Sequence, residues 1–153
     1  MMALRLATLL AGFVLLTGCV TRPTASVEPA QTAATTDEAV VLSYTLEARN
    51  AGQTELPLRM VDYALEIDGV RVFRGRRSAE ATLSRQNVQQ IELPVPIRWA
   101  DLPEGEVEYR FSGSLGYTLP GIFVEALFDA GLYRPAVDFE LEGTLDPSGL
   151  RSP

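Results

Sequence analysis

From residue 39 onward the chain alternates apolar and polar positions with a period of two. Val40, Leu42, Tyr44, Leu46 and Ala48 fall on one side; Val41, Ser43, Thr45, Glu47 and Arg49 fall on the other. Successive side chains of a strand point to opposite faces, so this stretch predicts a half-buried strand. Asn50-Ala51-Gly52 ends it with turn-forming residues. Val61, Tyr63, Leu65 and Ile67 alternate with Asp62, Ala64, Glu66 and Asp68 in a second strand. Asp68-Gly69 then sits before Val70, a dipeptide suited to a tight hairpin because both central residues need positive φ. A third strand returns over 70–75.

Ala79, Ala81 and Leu83 predict a short fourth strand. Ile91, Leu93, Val95 and Ile97 alternate with Glu92, Pro94, Pro96 and Arg98. Proline cannot donate to a ladder, so the proline nitrogens should face away from a neighbour, and this is expected to be an edge strand or one with an irregular end. Val107, Tyr109 and Phe111 mark another strand, and Val137, Phe139 and Leu141 the last. The run 121–131, GIFVEALFDAG, is short and apolar; it fits a strand or a helix of one to two turns and is read as a strand. About seven strands with turn signals between them predict an all-β chain, an antiparallel β-sandwich of the immunoglobulin/fibronectin-III-like kind.

The N-terminal stretch reads differently. Arg5 precedes an apolar core over 6–16, and Leu16-Thr17-Gly18-Cys19 closes it. A secretory core needs only ~7–15 apolar residues, a spanning helix roughly 20. Cys19 is the only cysteine in the chain. The pattern predicts a bacterial lipoprotein signal, cut before Cys19, whose thiol then carries the lipid. Val20 rather than Asp follows the cysteine, which points to the outer membrane with the domain facing the periplasm. The segment TRPTASVEPAQTAATTDE has almost no apolar periodicity and reads as a flexible tether. The expected organisation is a signal peptide over 1–18, a lipidated tether over 19–38, the sandwich over 39–146 and a tail over 147–153.

Composition narrows the chemistry. The chain has no histidine, every basic residue is arginine, and its net charge is −7. Without histidine it lacks the commonest general base and transition-metal ligand. With Cys19 consumed by lipid no thiolate remains, so no catalytic residue, metal site or cofactor is expected. The acidic excess argues against nucleic acid and anionic lipid surfaces as partners. Arg71, Arg74, Arg76 and Arg77 form one basic cluster, read as a solvated hairpin edge. Asp62 and Glu66 stand about 13 Å apart along one face of a strand, too far for a glycosidase pair. The acidic turn of Glu104, Glu106 and Glu108 lacks a calcium-loop pattern.

Aromatic and apolar residues supply the remaining candidates. Trp99 lies beside the proline-bearing strand, and Tyr117, Leu119, Ile122 and Phe123 lie in an apolar loop predicted at one end of the sandwich. Together they are the candidate contact surface, since large exposed apolar patches on a monomer are uncommon.

The stretch 41–141 resembles the late-embryogenesis-abundant group of the WHy type, the water-stress and hypersensitive-response domain. The resemblance lies in VLSYTLEARNAG, YALEIDGVRVFRG, NVQQIELPVPI, VEYRFSGSL and VDFELEG, and most of all in the pattern across Tyr63 to Gly75. It implies a fibronectin-like sandwich that serves in dehydration or stress protection without catalysis. Bacterial members often carry lipoprotein signals. The family's usual Asn-Pro-Asn is here Asn50-Ala51-Gly52, and the connection 98–105, where relatives often place a helix, is short and contains Pro103. The expected role is a monomeric, membrane-anchored stress-protection lipoprotein that touches client proteins. The alternative is an accessory binding lipoprotein of a larger envelope complex, docking one protein partner by strand addition or through its loop end.

Overall fold

The computed structural model describes residues 21–150. The predicted signal peptide and Cys19 lie outside the described residues, as do 151–153 of the expected tail. The described chain forms nine strands: β1 (Thr24–Val27), β2 (Gln31–Thr35), β3 (Ala39–Asn50), β4 (Leu56–Ile67), β5 (Val70–Ser78), β6 (Thr82–Leu83), β7 (Asn87–Arg98), β8 (Val107–Tyr117) and β9 (Ala136–Leu145). A single 3-10 turn covers Trp99–Asp101, and two short helices, α1 (Ile122–Asp129) and α2 (Pro147–Leu150), complete it.

All pairings are antiparallel. In one sheet β3 is central, with β7 on one side and β1 and β2 sharing the other. The second sheet runs β5-β4-β8-β9, with the fragment β6 on β4. The predicted all-β sandwich is what forms. Its interior is the alternating set read from the sequence: Val40, Leu42, Tyr44 and Leu46 from β3, Leu65 and Ile67 from β4, Leu93 and Val95 from β7, Phe111 and Leu115 from β8, all buried.

Aromatic rings join the two sheets. Tyr44 of β3 stacks on Phe111 of β8 with ring centroids 3.9 Å apart and planes within 2°. Tyr63 and Phe139 tilt against the same Phe111 ring at 5.9 and 6.0 Å. Glycine makes room for them. Gly113 lies in register between Tyr63 and Phe139. A β-carbon there would collide with the Asp62 carbonyl oxygen and lie 2.5 Å from Cζ of Phe139. On β9, Gly143 is covered in the same way by the ring of Tyr109.

The proline-bearing strand is an edge, as predicted. Its register with β3 is continuous, pairing Pro94 with Ser43 and Pro96 with Val41. A ladder alternates inward and outward backbone groups, so Glu92, Pro94 and Pro96 present theirs outward. Those outward groups are closed off. Arg77 of β5 donates to the Glu92 carbonyl, and the Tyr63 hydroxyl donates to the Pro94 carbonyl at 3.0 Å. The basic cluster also behaves as a solvated edge: Arg71 pairs with Glu66 at 3.0 Å and Arg76 with Asp62 at 2.6 Å.

Three expectations need correction. The flexible tether over 19–38 is wrong where β1 and β2 form within it: β1 registers on Leu46 to Arg49 and β2 on Val40 to Ser43. Every residue of β2 is exposed. An edge strand is held by main-chain bonds to its neighbour, so it needs no apolar alternation of its own. The run 121–131 is not a strand; Ile122–Asp129 is α1. Gly131, at φ +72°, ends it, with its N–H bonded to the Phe128 carbonyl and that of Leu132 to the Leu127 carbonyl, both at 2.9 Å. This pair of bonds is a Schellman closure, for which glycine is the natural residue. The tail is also structured at its start, where Pro147 of α2 is buried.

Burial raises the phenol pKa of Tyr44, Tyr63, Tyr109 and Tyr117. Tyr109 adds to the effect on Tyr44, while Arg77 opposes it at Tyr63. Tyrosines of the unfolded chain ionise near pH ~10, when those of the fold still hold their protons. The unfolded state then binds fewer protons, so stability falls as pH rises above that point. With no histidine to titrate, thermal midpoints should stay level between about pH 6 and 9 and drop above about 10. Melting curves followed with tyrosinate absorbance check this; smooth ionisation near pH 10 with the fold intact would contradict it. Gly113→Ala should keep the β-type spectrum but destabilise the domain by about 1–3 kcal/mol, the usual cost of overpacking. Denaturant titration of the variant measures it.

Candidate functional site

The two ends of the sandwich differ. One end, the α1 end, gathers the β3–β4 loop, the β6–β7 turn, the start of β1, α1 and the segment leading into β9. The other, the hairpin end, carries the β4–β5 turn at Asp68-Gly69 and the loop before β8. The most developed surface feature lies at the α1 end.

It begins with a break in the alternation of β4. Leu56 and Leu58 face inward, and so do Val61 and Tyr63, so the parity slips by one between them. The register with β8 shows the cause: a bulge between Leu58 and Val61, opposite Gly116. A bulge puts two residues against one and turns both outward, and such devices recur beside binding sites. Here they are Arg59 and Met60, both exposed.

Arg59 is fixed at both faces. Its Nε donates to Oγ1 of the buried Thr118 at 2.7 Å, and its guanidinium lies 5.1 Å from the ring centre of Phe128 in α1. The Thr118 N–H in turn donates to the Pro57 carbonyl at 2.9 Å. Arg59 therefore ties the helix to the sheet. Between α1 and the ends of β5 and β6 runs a groove of about 780 Å³, lined among others by Arg59, Met60, Arg76, Thr82, Phe128 and Arg134.

Behind the groove a buried amide closes the same end. Asn50 is 1% exposed. Its Nδ2 donates to the carbonyls of Thr54, Ser84 and Leu83 at 2.7, 3.2 and 3.4 Å, and its Oδ1 accepts from the Gly52 N–H at 2.9 Å. One side chain thus fastens the β3–β4 loop to the β6–β7 turn.

Chemically the groove offers guanidinium donors beside apolar surface. That combination suits an extended or amphiphilic chain. Of its two carboxylates, Asp62 is bonded to Arg76 at 2.6 Å, and Glu80 is the other. Among the described residues no group of three histidine, cysteine, aspartate or glutamate side chains could hold a metal ion.

The predicted contact residues do not share one surface. Trp99 stands at the hairpin end, its indole N–H donating to the Thr36 carbonyl at 2.8 Å. Tyr117, the last residue of β8, is buried in the core, and Leu119 is half-buried against it. Ile122 and Phe123 open α1, and their side chains lie outside the described residues. The loop end expected from the sequence is a helix-bearing end, and its exposed apolar residues are Leu127, Leu132 and Tyr133 instead. Two signals pointed there: the parity slip at Arg59-Met60 and the glycine at position 131, placed to end a helix.

The fold defines a two-sheet, all-β sandwich protein. The family model described as "Late embryogenesis abundant protein" matches residues 45–146. The chain belongs to that family. Among solved structures it is similar to a late embryogenesis abundant protein determined in solution, with 14% identity, a TM-score of 0.63, and 94% of this chain and 83% of that one covered. An Arabidopsis thaliana protein, also solved in solution, gives 13% identity, a TM-score of 0.63, and 83% of each chain covered. A protein from Archaeoglobus fulgidus, solved by crystallography, gives 14% identity, a TM-score of 0.56, and 78% of this chain and 94% of that one covered. At such identities the likeness is one of fold. No curated protein matches the chain.

Because Arg59 joins α1 to the sheet, Arg59→Ala should loosen the helix and leave the sandwich intact. The lost hydrogen bond and ring contact predict a fall of about 1–2 kcal/mol in the local opening free energy of α1. Amide hydrogen exchange resolves this: faster exchange at Ala126 to Leu132, with β3 and β8 unchanged.

Proposed function

We propose that this protein is a membrane-anchored envelope lipoprotein whose domain, of the WHy type, protects other proteins or membrane surface during drying, without turnover. Membership of the late embryogenesis abundant family carries this reading. The outer face of the β5-β4-β8-β9 sheet supports it. That face is a lattice of cross-strand charge, with Arg71 against Glu66 and Arg110 against both Glu140 and Glu142. Small residues Ala64 and Ser112 leave an open dish beside Asp138 and Glu140. Such a face is strongly hydrated and offers many weak polar contacts. It can stay between client surfaces as water leaves, which is the work a shielding protein performs.

The anchor is the acylated Cys19, and its setting in Leu16-Thr17-Gly18-Cys19 with Val20 after it supports attachment at the outer membrane. The alternative, an accessory module recruiting a partner by strand addition or through its loop end, loses one route at β7. Two prolines and two occupied carbonyls close that edge.

Two measurements test the proposal. A reporter enzyme dried with the purified protein should recover more activity than one dried with an equal mass of an unrelated soluble protein. Cells lacking the gene should survive drying less well. No difference in either assay would refute the protective role. Separately, Cys19→Ala should move the protein out of the membrane fraction, read by fractionation and by the mass of the N-terminal peptide.

A further inference from the structure

The position of β1 sets where an anchor at Cys19 would join the domain. Thr21 lies against the β3–β4 loop, where a β-carbon on Gly52 would be 3.4 Å from its Cβ. Pro23 is buried, and β1 begins at Thr24 in register with Arg49. The described chain therefore starts at the α1 end. Cys19 precedes Thr21 by two residues, a reach of no more than about 7 Å. A lipid on Cys19 leaves no leash, and the α1 end is the part of the domain nearest the bilayer.

Exposed apolar side chains gather at that same end. Among the described residues the large exposed hydrophobics are Met60, Val70, Leu127, Leu132 and Tyr133. Only Val70 belongs to the hairpin end. Leu132 is 76% exposed and is the most exposed of them. The closure of α1 groups the others: Leu127 accepts the main-chain bond from Leu132, and Tyr133 follows. On a helix of 3.6 residues per turn Leu127 points away from Glu125 and Asp129, so the acidic pair of α1 stays off this knob. Arg134 follows Tyr133, and Arg22 lies close enough to Tyr117 for its charge to act on the phenol.

Charge divides the opposite way. Asp37, Glu38, Asp101, Glu104, Glu106 and Asp146 crowd the turns of the hairpin end. The net charge of −7 repels an anionic surface as a whole, yet more of its turn-borne share sits at the end away from the anchor; at the α1 end Glu55 and Glu80 stand among Arg22, Arg59, Arg85 and Arg134.

We infer that the α1 end is a lipid-contact face, with Leu127, Leu132 and Tyr133 seated in the interface of the bilayer that carries the anchor and Arg22 and Arg134 at the headgroups. Interfacial elements of this kind bury apolar side chains roughly 5–10 Å into the headgroup–acyl boundary while basic groups stay outside. The inference rests on the anchored reading proposed above, and adds to it an orientation.

The test uses the full mature chain, purified from membranes and reconstituted in vesicles of phosphatidylethanolamine with a minor phosphatidylglycerol fraction. Cys19 is the only native cysteine. Once acylated it cannot be labelled, so a single new cysteine takes an environment-sensitive fluorophore cleanly. Leu132→Cys and Tyr133→Cys report on the α1 end and Val70→Cys on the hairpin end; all three positions are exposed, so folding should survive. The expected result is blue-shifted emission at 132 and 133 and quenching by nitroxide lipids roughly threefold stronger than at 70, as interfacial burial implies. Acylated, vesicle-bound protein with equal, water-like signals at both ends would overturn the inference and leave the anchor standing. A mature chain whose Cys19 peptide carries no acyl mass, and which does not float with vesicles, would overturn the anchored reading and this inference with it.

Discussion

The interior of this protein depends on one constraint: four aromatic rings, Tyr44, Tyr63, Phe111 and Phe139, must fit between two sheets around Gly113. Sheets pack about 10 Å apart, and a ring from each side fills that space. Tyr44 and Phe111 do so face to face at 3.9 Å. Aromatic pairs add about 0.5–1.5 kcal/mol beyond area burial, and only when the rings reach their geometry. Gly113 makes room for the Phe139 ring, which tilts against Phe111. Its row runs Gly75, Tyr63, Gly113, Phe139 across the sheet, small against large in turn. Replace either size and the spacing of the sheets must change. The hydrophobic pattern selects a sandwich; the glycine–aromatic row decides how closely its layers meet.

The edges follow from the same economy of contacts. A sandwich of two open sheets leaves strand edges exposed, and each is a template for unwanted pairing. Here Arg77 and the Tyr63 hydroxyl reach from the second sheet to carbonyls of β7, so side chains bridge what no strand covers. The proline nitrogens remove donors from the same edge. On the other side of β3, β1 and β2 take up the exposed edge with two short, polar pieces. Both devices shield main-chain groups; β1 adds only Ala25 and Val27, half-buried against the core, and β2 buries no side chain.

That difference explains what was legible in the sequence. β3, β4, β7, β8 and β9 are read from side-chain alternation because burial of one face dictates it. The edge character of β7 is read from Pro94 and Pro96, because a missing donor is a chemical fact of the residue. β1 and β2 are hard to read by that method: QTAAT buries no side chain, and in TASV the alternation of half-buried Ala25 and Val27 spans only four residues. α1 is not legible as a helix because the nine residues between Gly121 and Gly131 satisfy either period, and the decisive mark is the position of Gly131 rather than the apolar run. The contact surface was misread for a related reason. Aromaticity marks both core and interface, so Tyr117 turned out to be core, whereas Leu127 and Leu132 became exposed through the geometry of a helix end.

Finding β1 and β2 also changes what an anchor at Cys19 would do. A flexible leash of some eighteen residues would let the domain sample a shell of periplasm several nanometres deep. With the domain starting at Pro23, that freedom is gone, and on the anchored reading the body works within its own length of the membrane. Its orientation then matters, because the two ends carry different chemistry. The exposed apolar knob stands beside the anchor, and the acidic turns stand at the far end. The charge-laced face of the β5-β4-β8-β9 sheet runs along the side between them, open to whatever lies next to it. A shielding protein arranged this way meets its clients laterally, across a hydrated face held at a fixed height above the lipid, rather than by casting about on a tether.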